Sequence, residues 1–201
     1  MIITVASYKG GAGKTTTAVH LAAYLQTLAP TLLLDGDQTR NAINWGERGS
    51  GFPFRVAPVS QAAKLAAEYG RGGHIVIDTG QRPAGADLKE AVDGSDLLII
   101  PATPSPLDTD GLVQTIDALQ RIGAGNRFRV LLTKVAPPPE RDGAVLRELL
   151  VGEGVAIFKA EIPLLKAFAK AAGAGEIVGQ TKDKNAARAW GSYIATGKEL
   201  L

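Results

Sequence analysis

The chain has 201 residues, 45 % of them hydrophobic and 21 % charged, and carries a formal net charge of +2. That length and balance predict one globular domain, residues 1–201, with a substantial core, while a charge so small excludes nucleic-acid binding by overall attraction and leaves only a local basic patch. The absence of cysteine excludes disulfides, thiolate zinc sites and cysteine-ligated clusters, and no apolar stretch approaches the length of a membrane-spanning helix.

In chain order, the apolar strand Ile2-Ile3-Thr4-Val5-Ala6 follows Met1 directly, where a basic, apolar leader would otherwise stand, so a cytosolic location is expected. It runs into Tyr8-Lys9-Gly10-Gly11-Ala12-Gly13-Lys14-Thr15-Thr16. Ala18, Leu21, Ala22, Leu25 and Leu28 then recur at helical spacing until Pro30. Thr31-Leu32-Leu33-Leu34 is a continuous apolar run, as in a strand covered on both faces, and it ends in Asp35-Gly36-Asp37. A helix over 41–48, a strand over 54–59 and an Ala-rich helix over 61–69 capped by Ser60 follow. His74-Ile75-Val76-Ile77 leads to Asp78-Thr79-Gly80, and Leu97-Leu98-Ile99-Ile100 empties into a proline-rich stretch from Pro101 to Pro106. Beyond it the pattern predicts a helix from Asp108 to Ile122, a strand over 128–133, a helix over 143–150 and a strand over 156–159. A helix could begin at Pro163, and a last one could run from an Asp183 cap toward Leu200. Strands alternating with helices predict an α/β fold, a doubly wound, mainly parallel sheet with helices on both faces. In such sheets ligands collect at the carboxyl ends of the strands, where the loop, the three aspartates, the prolines and Thr133-Lys134 all fall.

The glycines after the first strand allow successive backbone N–H groups to converge, and the helix that follows adds its positive dipole end, so the segment reads as a polyphosphate cradle. Lys14 would reach the β- and γ-phosphates, and the Thr15 hydroxyl would ligate Mg²⁺. Tyr8 stands where the strict phosphate-loop pattern has its first glycine, and a second lysine, Lys9, stands beside it.

Lys9-Gly10-Gly11-Ala12-Gly13-Lys14-Thr15-Thr16 resembles the deviant Walker A loop of the ParA/MinD superfamily of P-loop ATPases. The resemblance implies a homodimer with ATP sandwiched at its interface, Lys9 touching the nucleotide held by the other subunit. It implies ATP and Mg²⁺ as cofactors, with Lys9, Lys14 and Asp37 catalytic, and with Thr15, Asp37 and Asp78 around the metal. Asp35-Gly36-Asp37 is similar to the family's Asp-x-Asp element, in which the second carboxylate orients the attacking water, although Gln38-Thr39 replaces the usual Pro-Gln. The stretch from Ile99 to Asp108 looks like the proline-rich segment of small partition ATPases, and Thr133, Lys134 and Pro163 fall where the family encloses adenine, with Leu164 where relatives commonly carry arginine.

The function implied is that of a partition ATPase. Its ATP dimer would bind DNA without sequence preference, would be cytoplasmic and nucleoid-associated, and would be reopened by hydrolysis that a small DNA-binding adaptor of the ParB or centromere-binding type stimulates. Lys166, Lys170, Lys182, Lys184 and Arg188 are the candidate phosphate contacts, with 166/170 and 184/188 spaced to share helix faces. The same mechanism could position a protein cargo such as a carboxysome or chemoreceptor cluster. A MinD-like membrane-associated ATPase would use the Trp190, Tyr193, Ile194 and Leu201 stripe, which core packing explains as well. A dethiobiotin synthetase-like ligase would leave Lys9 without a purpose. His20 and His74 carry no metal signal and are expected to be structural, and Trp45 is expected to pack the second helix.

Overall fold

The computed structural model describes residues 1–7, 10–70, 72–80 and 85–201. Six strands, β1 (Ile2–Val5), β2 (Thr31–Gly36), β3 (Arg55–Pro58), β4 (His74–Thr79), β5 (Leu97–Ala102) and β6 (Phe128–Leu132), form one sheet in the order β3-β2-β4-β1-β5-β6. Every neighbouring pair is parallel. Among the described residues eight α-helices lie around it: α1 (Lys14–Gln26), α2 (Asn41–Glu47), α3 (Ala62–Tyr69), α4 (Gly85–Asp93), α5 (Pro106–Arg121), α6 (Asp142–Gly152), α7 (Lys166–Ala174) and α8 (Ala186–Lys198).

Side chains alternate across a strand, and the apolar runs therefore feed two cores at once. Ile3, Val5, Leu33, Val76, Ile99 and Leu131 point to the face covered by α1, α2, α7 and α8. Leu98, Ile100, Val130 and Leu132 point the other way, toward α4, α5 and α6, and Leu32, Leu34 and Ile75 meet α3 on that same face. The doubly wound reading of the sequence is therefore the observed architecture. Helix α1 departs from the simple pattern: Thr17, Val19, His20 and Tyr24 are buried along with the expected alanines and leucines, because α8 covers the side that faces away from the sheet. Leu28, assigned to its stripe from spacing, lies past the helix end and is exposed.

Several predicted boundaries move for identifiable reasons. β5 runs through Pro101 to Ala102, although a proline in a central strand forfeits a ladder bond. The register explains this: β1 pairs with β5 only as far as Val5 opposite Ile99, so the side on which Pro101 lacks an N–H has already lost its neighbour. The strand expected over 156–159 contracts to a single parallel bridge, Val130 with Ile157. A second bridge, Val135 with Pro163, holds Pro163 extended, so α7 starts at Lys166 and not at the proline. Ser60 sits in a 3-10 turn before α3, and Asp183 accepts the Asn185 amide ahead of α8 instead of capping it. The helix over Gly85–Asp93 was not evident from periodicity.

The α2 and α7 ends are sewn together. Trp45 Nε1 donates to the Glu176 carbonyl at 3.0 Å, and Arg48 Nη1 donates to the Ala172 carbonyl at 2.9 Å. Between them Gly175, at φ 72°, abuts Gly49 so closely that a Cβ on Gly175 would stand 2.1 Å from the Gly49 nitrogen. Gly175→Ala adds both a left-handed backbone penalty and a clash with main chain that cannot swing aside. It is expected to lose about 3 kcal/mol of stability, read as a lower urea midpoint at unchanged m-value.

Candidate nucleotide and metal site

The described part of the glycine loop begins at Gly10; Lys9 lies outside the described residues. Gly11 at φ 85° and Gly13 at φ 88° occupy the left-handed region that side-chain-bearing residues avoid, and Gly13 is the N-cap of α1. The first-turn N–H groups of α1 have no intrahelical acceptor and face the loop's concavity. Thr133 Oγ1 donates to the Ala12 carbonyl at 2.8 Å and lies 3.3 Å from the Ala102 carbonyl, pinning the loop against the ends of β5 and β6. Lys14 opens α1 and is only 7 % exposed.

The carboxylates converge because the register brings them together. Asp35 on β2 and Asp78 on β4 are paired positions, and Asp78 is also opposite Val5, the last residue of β1. Their surroundings separate their capabilities. Asp35 is saturated: its Oδ1 accepts the Asp37 amide and its Oδ2 accepts the Ile43 amide, so it fastens the end of β2 to α2. Asp37 is half-buried at the cleft, and its Oδ1 accepts the Thr39 amide at 2.8 Å and the Thr39 hydroxyl at 2.6 Å. Partial burial raises its pKa, but the two Thr39 bonds and the Lys14 charge together outweigh this and hold it below the usual carboxylate value. Thr39, which departs from the family's residue there, thus fixes the carboxylate itself. Asp78 is fully buried, and among the described residues neither carboxylate oxygen has a partner at full hydrogen-bond geometry, the Thr15 hydroxyl standing beside it. Burial pushes its pKa up to about 7, with Asp35 and Asp37 pushing the same way and the Thr15 hydroxyl and Lys14 pulling against them.

Two buried oxygens without partners beside a threonine hydroxyl and near two further carboxylates fit a hard, oxygen-preferring divalent cation. Thr15 and Asp78 could hold it, with Asp37 across the cleft.

A cleft of about 360 Å³ runs over the loop, lined by Gly11, Lys14, Thr15, Asp37 and, at its far end, Trp45 and Arg48. Through Gly13, Thr16 and Lys134 it joins a larger cavity of about 620 Å³, walled by Ile162, Pro163, Leu164, Leu165 and Phe168. Thr133, Lys134 and Pro163, expected around a base, all line this cavity, next to the phosphate loop. Sequence reasoning missed Asp35 as the tie to α2, Arg48 at the cleft and the Phe168 and Tyr193 walls. Of these, only Asp35 carried a local signal, its place in Asp35-Gly36-Asp37.

His20 is structural, as expected. Its Nδ1 donates to the Thr16 carbonyl at 2.7 Å, its Nε2 accepts the Val178 amide at 3.0 Å, and its ring stacks on Tyr193 with centroids 4.8 Å apart. Burial lowers its pKa to about 4, which keeps it neutral. Trp45, too, is buried, as expected. In α8, Tyr193 is buried and Trp190 and Ile194 pack on the same core, so most of the stripe weighed as a lipid contact is core; among the described residues no helix is long and apolar enough to cross a membrane.

The five candidate basic residues are exposed. Lys170 Nζ pairs with Asp183 Oδ2 at 2.6 Å, which brings α7 beside the 182–184 segment. Lys184 precedes α8, so the helical spacing argued for it with Arg188 does not apply.

Against known proteins, the CobQ/CobB/MinD/ParA nucleotide binding domain model matches residues 3–178. The chain is 34 % identical over 202 aligned positions to the maintenance of carboxysome distribution protein A of Gloeobacter kilaueensis, covering 99 % of this chain and 93 % of that one. It is 29 % identical to the protein ParA of Rhizobium radiobacter over 82 % of this chain and 78 % of that one. In structure it is similar to an AMPPNP-bound putative plasmid partition protein of Borrelia burgdorferi, with a TM-score of 0.74, 18 % identity and coverage of 100 % and 99 %.

Proposed function

The chain belongs to the CobQ/CobB/MinD/ParA nucleotide-binding family and is a ParA-type partition or positioning ATPase, and from this premise we propose that it works as a two-subunit switch closed by ATP and opened by its hydrolysis. The observation that carries the reading is the grouping of Lys14, the ionised Asp37 and the partnerless Asp78 at one end of the sheet. Phosphoryl transfer needs positioning and charge neutralisation more than covalent help from the protein. Lys14 and the loop amides grip the β- and γ-phosphates. Thr15 and Asp78, with Asp37 nearby, are the residues that would hold Mg²⁺, which when bound neutralises phosphate charge. Asp37, kept ionised and held by Thr39 and Asn41, presents its carboxylate at the cleft to orient the attacking water; with its pKa below the usual value it is a weak base, so orientation is its contribution. Lys9 reaches the partner subunit's nucleotide, and the apolar cavity takes the base.

The closed dimer binds DNA without sequence preference through the exposed lysines of α7 and the 182–184 segment, and an adaptor stimulates turnover. Sedimentation velocity with Mg-ATP is expected to show a dimer for the wild type and a monomer for Lys9→Ala. Monomers alone, with saturating ATP and Asp37→Ala to block hydrolysis, would overturn the switch. DNA affinity in the ATP state is expected to fall at least about tenfold between 50 and 200 mM salt; salt-insensitive or absent binding would remove DNA from the mechanism.

The nearly full-length likeness to a carboxysome-distribution protein favours a second reading of the cargo, in which the same cycle distributes a protein assembly in place of a plasmid. Deleting the gene and following both plasmid retention and the spacing of such assemblies distinguishes the two.

A further inference from the structure

We propose that Asp183 is an internal counter-ion on the DNA-binding face: it keeps Lys170 from the phosphates and so sets how tightly the ATP state grips DNA. This rests on the reading that the closed dimer binds DNA through α7 and the 182–184 segment.

In the sequence Asp183 interrupts a run of cations, Lys182-Asp183-Lys184, and it is the only carboxylate between Glu176 and Glu199. An acid placed there repels the phosphates that the lysines around it would attract. Its Oδ2 accepts Lys170 Nζ from α7 at 2.6 Å, and its Oδ1 accepts the Asn185 amide at 2.9 Å. The main chain pins it as well: the Asp183 amide donates to the Thr181 carbonyl, and the Asp183 carbonyl accepts the Ala186 amide. The Asp183 side chain is 8 % exposed, whereas that of Lys170 is 58 % exposed. The carboxylate is thus fixed and largely out of water, and the ammonium comes to it.

That asymmetry decides which partner Lys170 keeps. In a fully exposed pair both ions re-solvate when they part, so a phosphate could take the lysine at little cost. Here the departure of Lys170 strands a carboxylate that water reaches poorly, and removing one partner of such a pair costs more than a surface contact gains. Asp183 is also tethered beside Lys170, whereas a phosphate must arrive from solution. Lys170 therefore stays with Asp183, and a lysine already neutralised displaces no cation from DNA.

The other cations of the face differ. Lys166, Lys182, Lys184 and Arg188 are exposed, and among the described residues no ion pair occupies them. They carry the phosphate contacts, and the hold of the face is one contact per subunit weaker than its basic residues allow.

Fluorescence anisotropy of a labelled DNA duplex, titrated with the full chain and Mg-ATPγS from about 50 to about 200 mM salt, tests this. Asp183→Asn keeps an acceptor for the Asn185 amide and removes the charge. It is expected to tighten binding by roughly threefold to tenfold at the low-salt end and to steepen the slope of log affinity against log salt by about 0.9 per subunit in contact. Asp183→Ser is expected to act in the same direction. The double variant Lys170→Met/Asp183→Asn is expected to lose the gain. Asp117→Asn makes the same change in net charge at an exposed position on α5, across the sheet from α7 and α8, and is expected to show little of it. Isothermal titration of ATPγS reports that each variant is folded. An unmoved slope or weaker binding in both Asp183 variants would overturn the counter-ion, as would a gain that survives the loss of Lys170 or is matched by Asp117→Asn. Failure of the wild type and every variant to bind DNA would instead sink the reading of this face, and the counter-ion with it.

Discussion

Asp37→Ala is expected to lower ATP turnover by roughly 100-fold or more and to leave an ATP complex that persists. The loop and Lys14 bind charge that is already present in ATP and Asp78 would hold its Mg²⁺, whereas the carboxylate of Asp37 acts on the water that must be aligned with the γ-phosphate. Its pKa is held down by Thr39 and Lys14 against the effect of partial burial, so it is ionised throughout the neutral range and its loss is not mimicked by lowering the pH to 6. Thr39→Ala removes the 2.6 Å hydroxyl bond and leaves the amide bond, so turnover is expected to fall by a smaller factor than in Asp37→Ala. Single-turnover release of phosphate from preloaded ATP makes the measurement. Wild-type rates in Asp37→Ala would assign water positioning to another group, and loss of ATP binding in that variant would make Asp37 a ligand of the ground state instead.

Much of this site was legible because its parts are local. The glycines, Lys14 and Thr15 lie in one short run, and the apolar strands before Asp35 and Asp78 mark where those aspartates emerge. The neighbourhood of Asp35 and Asp78 was not legible, since it depends on β4 lying between β1 and β2, an order that no strand's own residues specify. The same holds for the clamp of Trp45 and Arg48 onto the end of α7 and for the contact of Gly49 with Gly175, which join residues more than a hundred positions apart. Spacing misled where a local preference met a tertiary bond: Pro163 can begin a helix, but the Leu164 amide is taken by the Val135 carbonyl and α7 begins only at Lys166. The stripe of α1 read as one-sided because α8, which covers its other side, comes from the far end of the chain.

Asp78 is expected to weaken the nucleotide-free fold as pH rises, and the size of the effect is large for one side chain. Its carboxyl titrates near 7 in the folded chain against an ordinary 3.8, chiefly because it is buried. A raised acid pKa means that the folded state keeps a proton that the unfolded chain gives up. The stability this contributes is therefore complete below about pH 4, declines as pH rises toward 7 and is level above it, a span on the order of 4 kcal/mol. His20 works in the opposite sense over part of the same window. Buried and neutral, with its pKa lowered to about 4, it makes the folded state lose stability as pH falls from about 6.5. The raw pH profile of the wild type is consequently flattened between pH 4 and 6.5, and only the difference between wild type and Asp78→Asn isolates the carboxylate. That difference is expected to grow in favour of the variant from pH 4.5 to 7.5 in urea denaturation; parallel curves would show that Asp78 is not held protonated. Adding Mg-ATP at pH 8 should reverse the ranking. A bound cation gives the ionised Asp78 the partner it lacks, so the wild type gains stability with ligand concentration while Asp78→Asn, with no charge to offer, gains much less. A residue that burdens the empty protein is then one that ties folding to loading.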